Sequence, residues 1–230
     1  MGAALIDLRG ITKSYSGGVK VLEEVSLSVR KGEFLYVVGG IGTGKTTLLR
    51  ILATEEPVDT GEIQLFGYSL NRVNPNTLSA IRRSIGYIPQ GIRLIPDLTV
   101  EENVRMALTV SSRAFLSREA KKSVQDALER LGVGALRSRV AKTLSGGGSQ
   151  RVAIARALAR KPEFLIADEP TGAQDRASAW ALMDTLMKCQ LDGTTVVVAT
   201  HDAKVVRRVR KRSVTLNGGR IFTEDRLCTY

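Results

Sequence analysis

One octapeptide constrains this chain more than any other feature. Gly39-Gly40-Ile41-Gly42-Thr43-Gly44-Lys45-Thr46 matches G-x-x-x-x-G-K-[ST] at every fixed position. It follows the apolar run Phe34-Leu35-Tyr36-Val37-Val38 and opens a segment with Leu48, Leu49, Ile51 and Leu52 at helical spacing. Strand, glycine loop and helix, in that order, are the context the motif requires. Glycines let the backbone wrap so closely that successive N–H groups face phosphate oxygens, and the helix N-terminus adds partial positive charge. Lys45 is then placed to neutralise the β and γ phosphates, and Thr46 to offer its hydroxyl to Mg²⁺.

Two further runs, Phe164-Leu165-Ile166-Ala167 and Thr195-Val196-Val197-Val198-Ala199, are apolar on both faces, as parallel strands covered by helices are. Each ends in residues with chemical potential, where ligands collect in open α/β sheets. Asp168 and Glu169 follow the first. Asp168 is placed to hold Mg²⁺ through water, and Glu169 to polarise a water for attack on the γ phosphate. His201, the one histidine of the chain, follows the second and is placed to contact the γ phosphate or that water. Gln90, in Gly86-Tyr87-Ile88-Pro89-Gln90, could offer an oxygen to Mg²⁺ and an amide to the water, or be a surface glutamine; chemistry alone leaves both open.

Leu144-Ser145-Gly146-Gly147-Gly148-Ser149-Gln150-Arg151 is a second glycine-rich segment that opens a helix. Its backbone amides and the Ser145 hydroxyl make another anion site. With two phosphate cradles about 100 residues apart, the chain either binds two anions or places both cradles on one nucleotide across a dimer.

Helical patterns are expected at Ser117 to Gly132 with Ser117 as N-cap, at Gln150 to Arg160 before Pro162, and at Arg176 to Leu191 before Gly193. Leu5 to Leu8, Ile11 to Tyr15 and Val21 to Val29 read as short strands around Gly17-Gly18. A composition 43% hydrophobic supports a sizeable core. No window approaches the roughly 18 to 20 apolar residues that span a bilayer, and Asp7 comes too early for a signal peptide. The expected compartment is therefore the cytoplasm. Cys189 and Cys228 lack zinc-site spacing and read as reduced thiols. The net charge of +11 favours anionic partners without choosing among nucleotide, nucleic acid and anionic membrane.

Taken in order and spacing, the glycine loop, Gln90, Leu144-Ser145-Gly146-Gly147, Asp168-Glu169, Asp175 and His201 resemble the ATP-binding cassette (ABC) ATPases over essentially the whole chain. The resemblance implies a P-loop α/β core with a mainly parallel sheet, all within one domain of residues 1–230. Residues 1–30 and 61–70 would contribute to an antiparallel β subdomain, and about 91–145 would form an inserted helical subdomain. It implies an ATPase that closes as a homodimer around two ATP molecules with Mg²⁺. Tyr15 resembles the aromatic that stacks on adenine, and Thr47 joins the glycine loop among the ATP-binding residues. Gln90 becomes a metal- and water-contacting glutamine. Ser145 and Gly147 resemble the residues that touch the γ phosphate held by the opposite subunit, and Asp175 the aspartate at the dimer seam. The chain departs from the family's usual pattern at Gly148-Ser149 and at Ala173-Gln174.

Asp168-Glu169-Pro170-Thr171-Gly172 and Ala199-Thr200-His201-Asp202 resemble the group of cell-division, lipoprotein-release and macrolide-export ATPases. Glu55-Glu56-Pro57, Gly61-Glu62-Ile63, Trp180, Val209 to Arg212 and Asn217 to Ile221 resemble its cell-division branch, FtsE. That branch implies an FtsX-like membrane permease as partner and a peripheral position on the cytoplasmic face of the bacterial inner membrane. The alternatives are a lipoprotein- or drug-export ATPase, and a nucleic-acid-binding P-loop ATPase suggested by Arg207, Arg208, Arg210, Lys211 and Arg212. The last is set aside for want of room for a long coiled coil, so no specific nucleic acid is expected. The groove between the Gln90 loop and the helical insertion is expected to receive a helix of the membrane partner, because Gly91 to Leu98 carries apolar Ile92, Leu94 and Ile95 beside Gln90.

Overall fold

Residues 4–15, 17–91, 93–108, 117–172 and 176–223 are described by the computed structural model. The first strands, β1 (Ala4–Tyr15) and β2 (Val19–Arg30), pair antiparallel. The two short strands expected at 5–8 and 11–15 are one continuous strand. Its register with β2 shifts between Leu8 and Ile11, where Gly10 takes φ 55°, the left-handed conformation that lets a strand bulge without ending. Then follow β3 (Phe34–Val38) and α1 (Lys45–Leu52). Strands β4 (Thr60–Leu65) and β5 (Tyr68–Ser69) complete a four-stranded antiparallel sheet in the order β2-β1-β4-β5.

The chain continues through α2 (Pro75–Arg83), β6 (Ile85–Ile88), α3 (Val100–Arg105), α4 (Arg118–Arg130) and α5 (Gly146–Leu158). It ends with β7 (Phe164–Asp168), α6 (Arg176–Leu191), β8 (Thr195–Thr200), α7 (Ala203–Arg208), β9 (Arg212–Asn217) and β10 (Arg220–Thr223). The second sheet runs β10-β9-β3-β8-β7-β6. All its pairings are parallel except the β9–β10 hairpin, so the expected mainly parallel core is what forms.

Alternation along the three apolar strands explains the layers. Phe34 and Tyr36, Leu165 and Ala167, and Val196 and Val198 face a core shared with α3, α4, α5 and α6. Leu35 and Val37, Phe164 and Ile166, and Val197 and Ala199 face the other core, shared with α1 and the antiparallel sheet. A strand buried on both faces must be apolar at successive positions, and these are.

Helix α4 starts on its expected cap, with the Ser117 hydroxyl accepting from Ala120 N at 3.1 Å. Helix α5 begins earlier than the expected Gln150, because Ser145 caps it by accepting from Gly148 N. Helix α3 lies within the expected helical insertion but was not singled out; it is short and starts with a capping box between Thr99 and Glu102.

Asn103 on α3 is fully buried and ties down the segment that leads away from Gln90. Its amide donates to the carbonyls of Ile95, Leu98 and Thr99 at 3.0, 3.3 and 3.0 Å, and its oxygen accepts from Ile95 N at 2.8 Å. Asn103→Ala would leave the Ile95 N–H without its acceptor, while the Ile95, Leu98 and Thr99 carbonyls each keep one backbone donor. The expected loss is about 1–3 kcal/mol, read as a fall in Tm of about 2–12 °C. An unchanged melting curve would show that water replaces the amide freely.

Candidate functional site

The glycine loop is shaped by what packs against it. Gly44 caps α1 at φ 99°, a left-handed conformation, and a Cβ there would lie 2.8 Å from the Val21 carbonyl oxygen. Gly39 has no such dihedral, but a Cβ would lie 2.4 Å from the Leu216 carbonyl oxygen of β9. The loop is therefore clasped between β2 and β9, and only glycine fits at either contact.

Lys45 begins α1 and is only 6% exposed. Its Nζ donates to the carbonyls of Gly39 and Gly40, both at 2.8 Å, and stands 3.4 Å from Glu169 Oε1. The Thr43 hydroxyl donates to the Gly40 carbonyl at 3.0 Å. The ammonium is thus held at the centre of its own loop, where its charge meets partial negative charges and one carboxylate.

Glu169 follows the end of β7. Its φ of 45° is unusual for a residue with a side chain, and its N–H donates to the Ala199 carbonyl at 3.0 Å, which pins that backbone across to β8. The carboxylate is turned back between the Lys45 ammonium, 3.4 Å from Oε1, and the His201 imidazole, whose Nδ1 lies 2.9 Å from the same oxygen. His201 N–H also reaches Oε2 at 3.4 Å. Glu169 Oε1 is therefore shared by the two groups placed to meet a terminal phosphate.

Asp168 ends β7 and is 1% exposed, and neither of its oxygens has a hydrogen-bond partner among the described residues. Burial pushes its carboxyl up from the usual aspartate range, with the Thr46 hydroxyl beside it pulling the other way. An unpartnered buried carboxylate next to a hydroxyl is costly unless a cation completes it. The donor set of hard oxygens from Thr46 and Asp168, with the Gln90 amide nearby in the same cleft, suits Mg²⁺.

Tyr15, Gly42, Thr43, Gly44, Lys45, Thr46, Thr47, Gln90, Glu169 and His201 line one open cavity of about 300 Å³, with Val21 and Ile41 at its edge. Gln90 stands two residues beyond β6, at the far side of the sheet from β9, and still reaches this cleft. Tyr15 is 39% exposed, with its hydroxyl 3.4 Å from Thr47 Oγ1. The cavity thus gathers a loop of phosphate-facing amides, a cation, an acid, a histidine and an aromatic.

Ser145 and Gly147 do not line it. They stand at the start of α5, where Ser145 Oγ accepts from Gly148 N at 3.3 Å. Asp175 lies outside the described residues. Val21 was not foreseen: no motif marks a β2 residue as a wall of the cleft, and only the close approach at Gly44 reveals it.

The comparisons agree with this geometry. A family model described as ABC transporter matches residues 22–172. The chain is 36% identical over 222 residues to the cell division ATP-binding protein FtsE of Streptococcus pneumoniae, covering 96% of both. It is 39% identical over 208 residues to the lipoprotein-releasing system ATP-binding protein LolD of Aquifex aeolicus, covering 90% of this chain and 92% of that one. Its structure superposes with a TM-score of 0.87, at 35% identity, on a dimeric, ADP- and phosphate-bound, post-hydrolysis state of the ATP-binding cassette MJ0796; the match covers 98% of this chain and 100% of that one.

Because the Asp168 carboxylate is buried without a partner, Asp168→Asn should leave the nucleotide-free protein as stable as before, or raise its Tm by a few degrees. The same change should abolish the extra stabilisation that Mg²⁺ adds to bound ATP. Thermal melts with ATP in EDTA and with ATP in Mg²⁺ read both effects. A large loss of stability in the nucleotide-free variant would mean that the carboxylate has an internal role.

Proposed function

We infer that this chain, which belongs to the ABC transporter family, is an ATP-hydrolysing subunit that closes as a dimer around two ATP molecules and drives a membrane partner. The observation that carries this is that the second glycine-rich segment does not line the cavity formed by the first. In one copy Gly42 to Thr47, Gln90, Glu169 and His201 line one cavity, and Ser145 and Gly147, at the start of α5, do not. A second copy related by a twofold axis can bring its Ser145 segment to this cavity while receiving the reciprocal contact, an isologous arrangement.

Each residue then has a step. The loop amides and Lys45 take the β and γ phosphates; Lys45 gives up the Gly39 and Gly40 carbonyls to do so. Thr46, Asp168 and Gln90 would hold Mg²⁺, which neutralises the phosphate oxygens as charge shifts to the leaving group. Once Lys45 turns to phosphate, Glu169 is free to take a proton from a water as that water's oxygen attacks the γ phosphorus and the bond to ADP breaks. His201, bonded to Glu169 through Nδ1, steadies the carboxylate and faces the same terminal phosphate.

Similarity to FtsE supports a cell-division role with an FtsX-like permease as partner, at the cytoplasmic face of the bacterial inner membrane. Among the described residues no helix is long and apolar enough to cross a membrane, so attachment runs through the partner. Similarity to LolD supports lipoprotein release as the second reading. The basic run does not favour nucleic acid. Arg208 lies 4.1 Å over the Trp180 ring, Lys211 donates to Gln190, and Arg212 bonds Glu33 and the Ser28 carbonyl.

For docking, a groove of about 270 Å³ lies beside the Gln90 segment and is lined by Ile85, Tyr87, Ile95, Met106, Ala107 and Arg156 among others. Ile95 and Met106 are exposed there; Ile92, also expected to contribute, lies outside the described residues. We assign the segment near 91–145 as the unit that receives the partner's helix. Ile95→Asp should reduce co-purification of the permease several-fold and leave ATP binding by the isolated subunit unchanged. Full retention of the permease would place the contact elsewhere.

The dimer itself is tested with Glu169→Gln, which keeps the shape but loses the proton acceptor. The variant should be monomeric without nucleotide and dimeric with ATP and Mg²⁺ by light scattering, and Ser145→Arg added to it should return the monomer while ATP still binds. A Glu169→Gln protein that stays monomeric at high concentration with saturating ATP, with its membrane partner present, would falsify the shared-site reading.

A further inference from the structure

Beneath Tyr15 lies a charge cluster that no phosphate-binding motif includes. Lys13, two residues earlier on β1, is only 7% exposed. A buried ammonium needs close partners to be tolerated. Its Nζ lies 2.9 Å from Glu56 Oε1, 3.8 Å from Asp59 Oδ1 and 5.5 Å over the Tyr15 ring centroid. Glu56 holds Lys13 above the ordinary lysine range.

Both acids are anchored. Glu56 sits just past α1, where its N–H donates to the Arg50 carbonyl at 3.3 Å, so it is fixed to the C-terminal end of the P-loop helix. Asp59 holds the strand on either side of Lys13: its Oδ2 accepts from Ser14 N at 2.7 Å, and its N–H donates to the Thr12 carbonyl at 2.9 Å. Thr12, Lys13 and Ser14 are thus each bound to segment 56–59. The strand end needs this, because the pairing of β1 with β2 slips between Ile11 and Lys13 and again between Lys13 and Ser14. A regular ladder alone does not set the direction of Tyr15.

We propose that Lys13, clamped by Glu56 and Asp59, positions the nucleobase platform: it fixes the plane of the Tyr15 ring against the P-loop helix and occupies one face, leaving the other for a purine. This rests on the reading that Tyr15 stacks on adenine. The cation against one face draws electron density from the ring and makes the opposite face a better platform for an electron-rich base. The clamp also ties the base end of the site to the phosphate end through one rigid helix, α1, which starts at Lys45 and ends next to Glu56. Lys13 touches no phosphate-binding group, so it acts through Tyr15 alone.

The test uses the full chain and separates base from phosphate. Lys13→Met, and the milder Glu56→Gln, should raise KM for ATP and weaken ATP binding by roughly 5- to 10-fold, part of the loss expected on removing the ring. The turnover at saturating ATP should stay within about twofold of the parent, because no group at the γ phosphate has moved. Lys13→Arg should restore ATP affinity, and binding of inorganic tripolyphosphate, which has no base, should be the same in all variants. In a Tyr15→Ala background, Lys13→Met should add nothing. The proposal is overturned if Lys13→Met weakens tripolyphosphate as much as ATP, or acts at full size without the Tyr15 ring. If Tyr15→Ala weakens ATP binding but neither Lys13→Met nor Glu56→Gln does, the clamp fails and the stacking reading stands. If Tyr15→Ala has no effect on ATP binding, both fall together.

Discussion

The ammonium of Lys45 is the interaction on which the rest of the site depends. It is a buried cation at the mouth of a helix, a place where partial positive charge already accumulates. Left alone it would be costly twice over, by desolvation and by repulsion from the helix dipole. The fold answers with two carbonyls at 2.8 Å and the Glu169 carboxylate at 3.4 Å. Each of those partners is a substitute for phosphate oxygen. In the proposed function, a triphosphate entering the loop would exchange one set of oxygens for another around the same cation and change the company of Glu169 as well.

That exchange requires Lys45, Glu169 and His201 to be within reach of each other although they lie far apart in sequence. The sheet supplies the proximity. Strands β3, β8 and β7 are adjacent and parallel, so the residues after each of them emerge at one edge. The register sets Val38 opposite Thr200 and Asp168 opposite Ala199, so the three strands end level with one another. The clasp of Gly39 by β9 and of Gly44 by β2 then fixes the loop against this edge. Catalytic geometry here follows from hydrophobic alternation and from two glycines that have no room for a Cβ.

Much of this was legible in the sequence, and the reasons differ by element. The glycine loop, the three buried strands and the acids after β7 were readable because each couples a local pattern to a fixed context. Helices α4 and α6 were readable from periodicity and caps. Helices α2 and α7 and strands β6, β9 and β10 were not singled out. They are short, and α2 buries only Ile81, so no apolar period marks it. Asn103 was invisible for another reason. Its worth lies in four hydrogen bonds to backbone four to eight residues away, and a polar residue in a short helix carries no signal of burial. The Lys13 cluster was missed because lysine before an aromatic reads as surface; only the fold brings Glu56 and Asp59 to it. Gln90 was open on chemistry and became informative through the company it keeps in the cleft.

The helix that opens at Ser145 joins the two halves of this mechanism. Its first turn carries Gly146, Gly147 and Gly148, so no side chain covers the amides there, and the cap is a single bond from Gly148 N to Ser145 Oγ at 3.3 Å. Helix α3, by contrast, has a glutamate at the equivalent third position, which returns a bond to its cap residue. Without that carboxylate, the α5 N-terminus presents donors to any anion brought against it, and the Ser145 hydroxyl must divide itself between its own helix and that anion. The next turn is bonded to the site in its own copy, for Gln150 Nε2 donates to the Pro170 carbonyl, one residue past Glu169. In the proposed dimer, a phosphate met by Ser145 in one site would pull on a helix start that is tied to the Glu169 segment of the other. The two sites of the proposed dimer would then be joined through a helix end whose cap is a single bond of 3.3 Å.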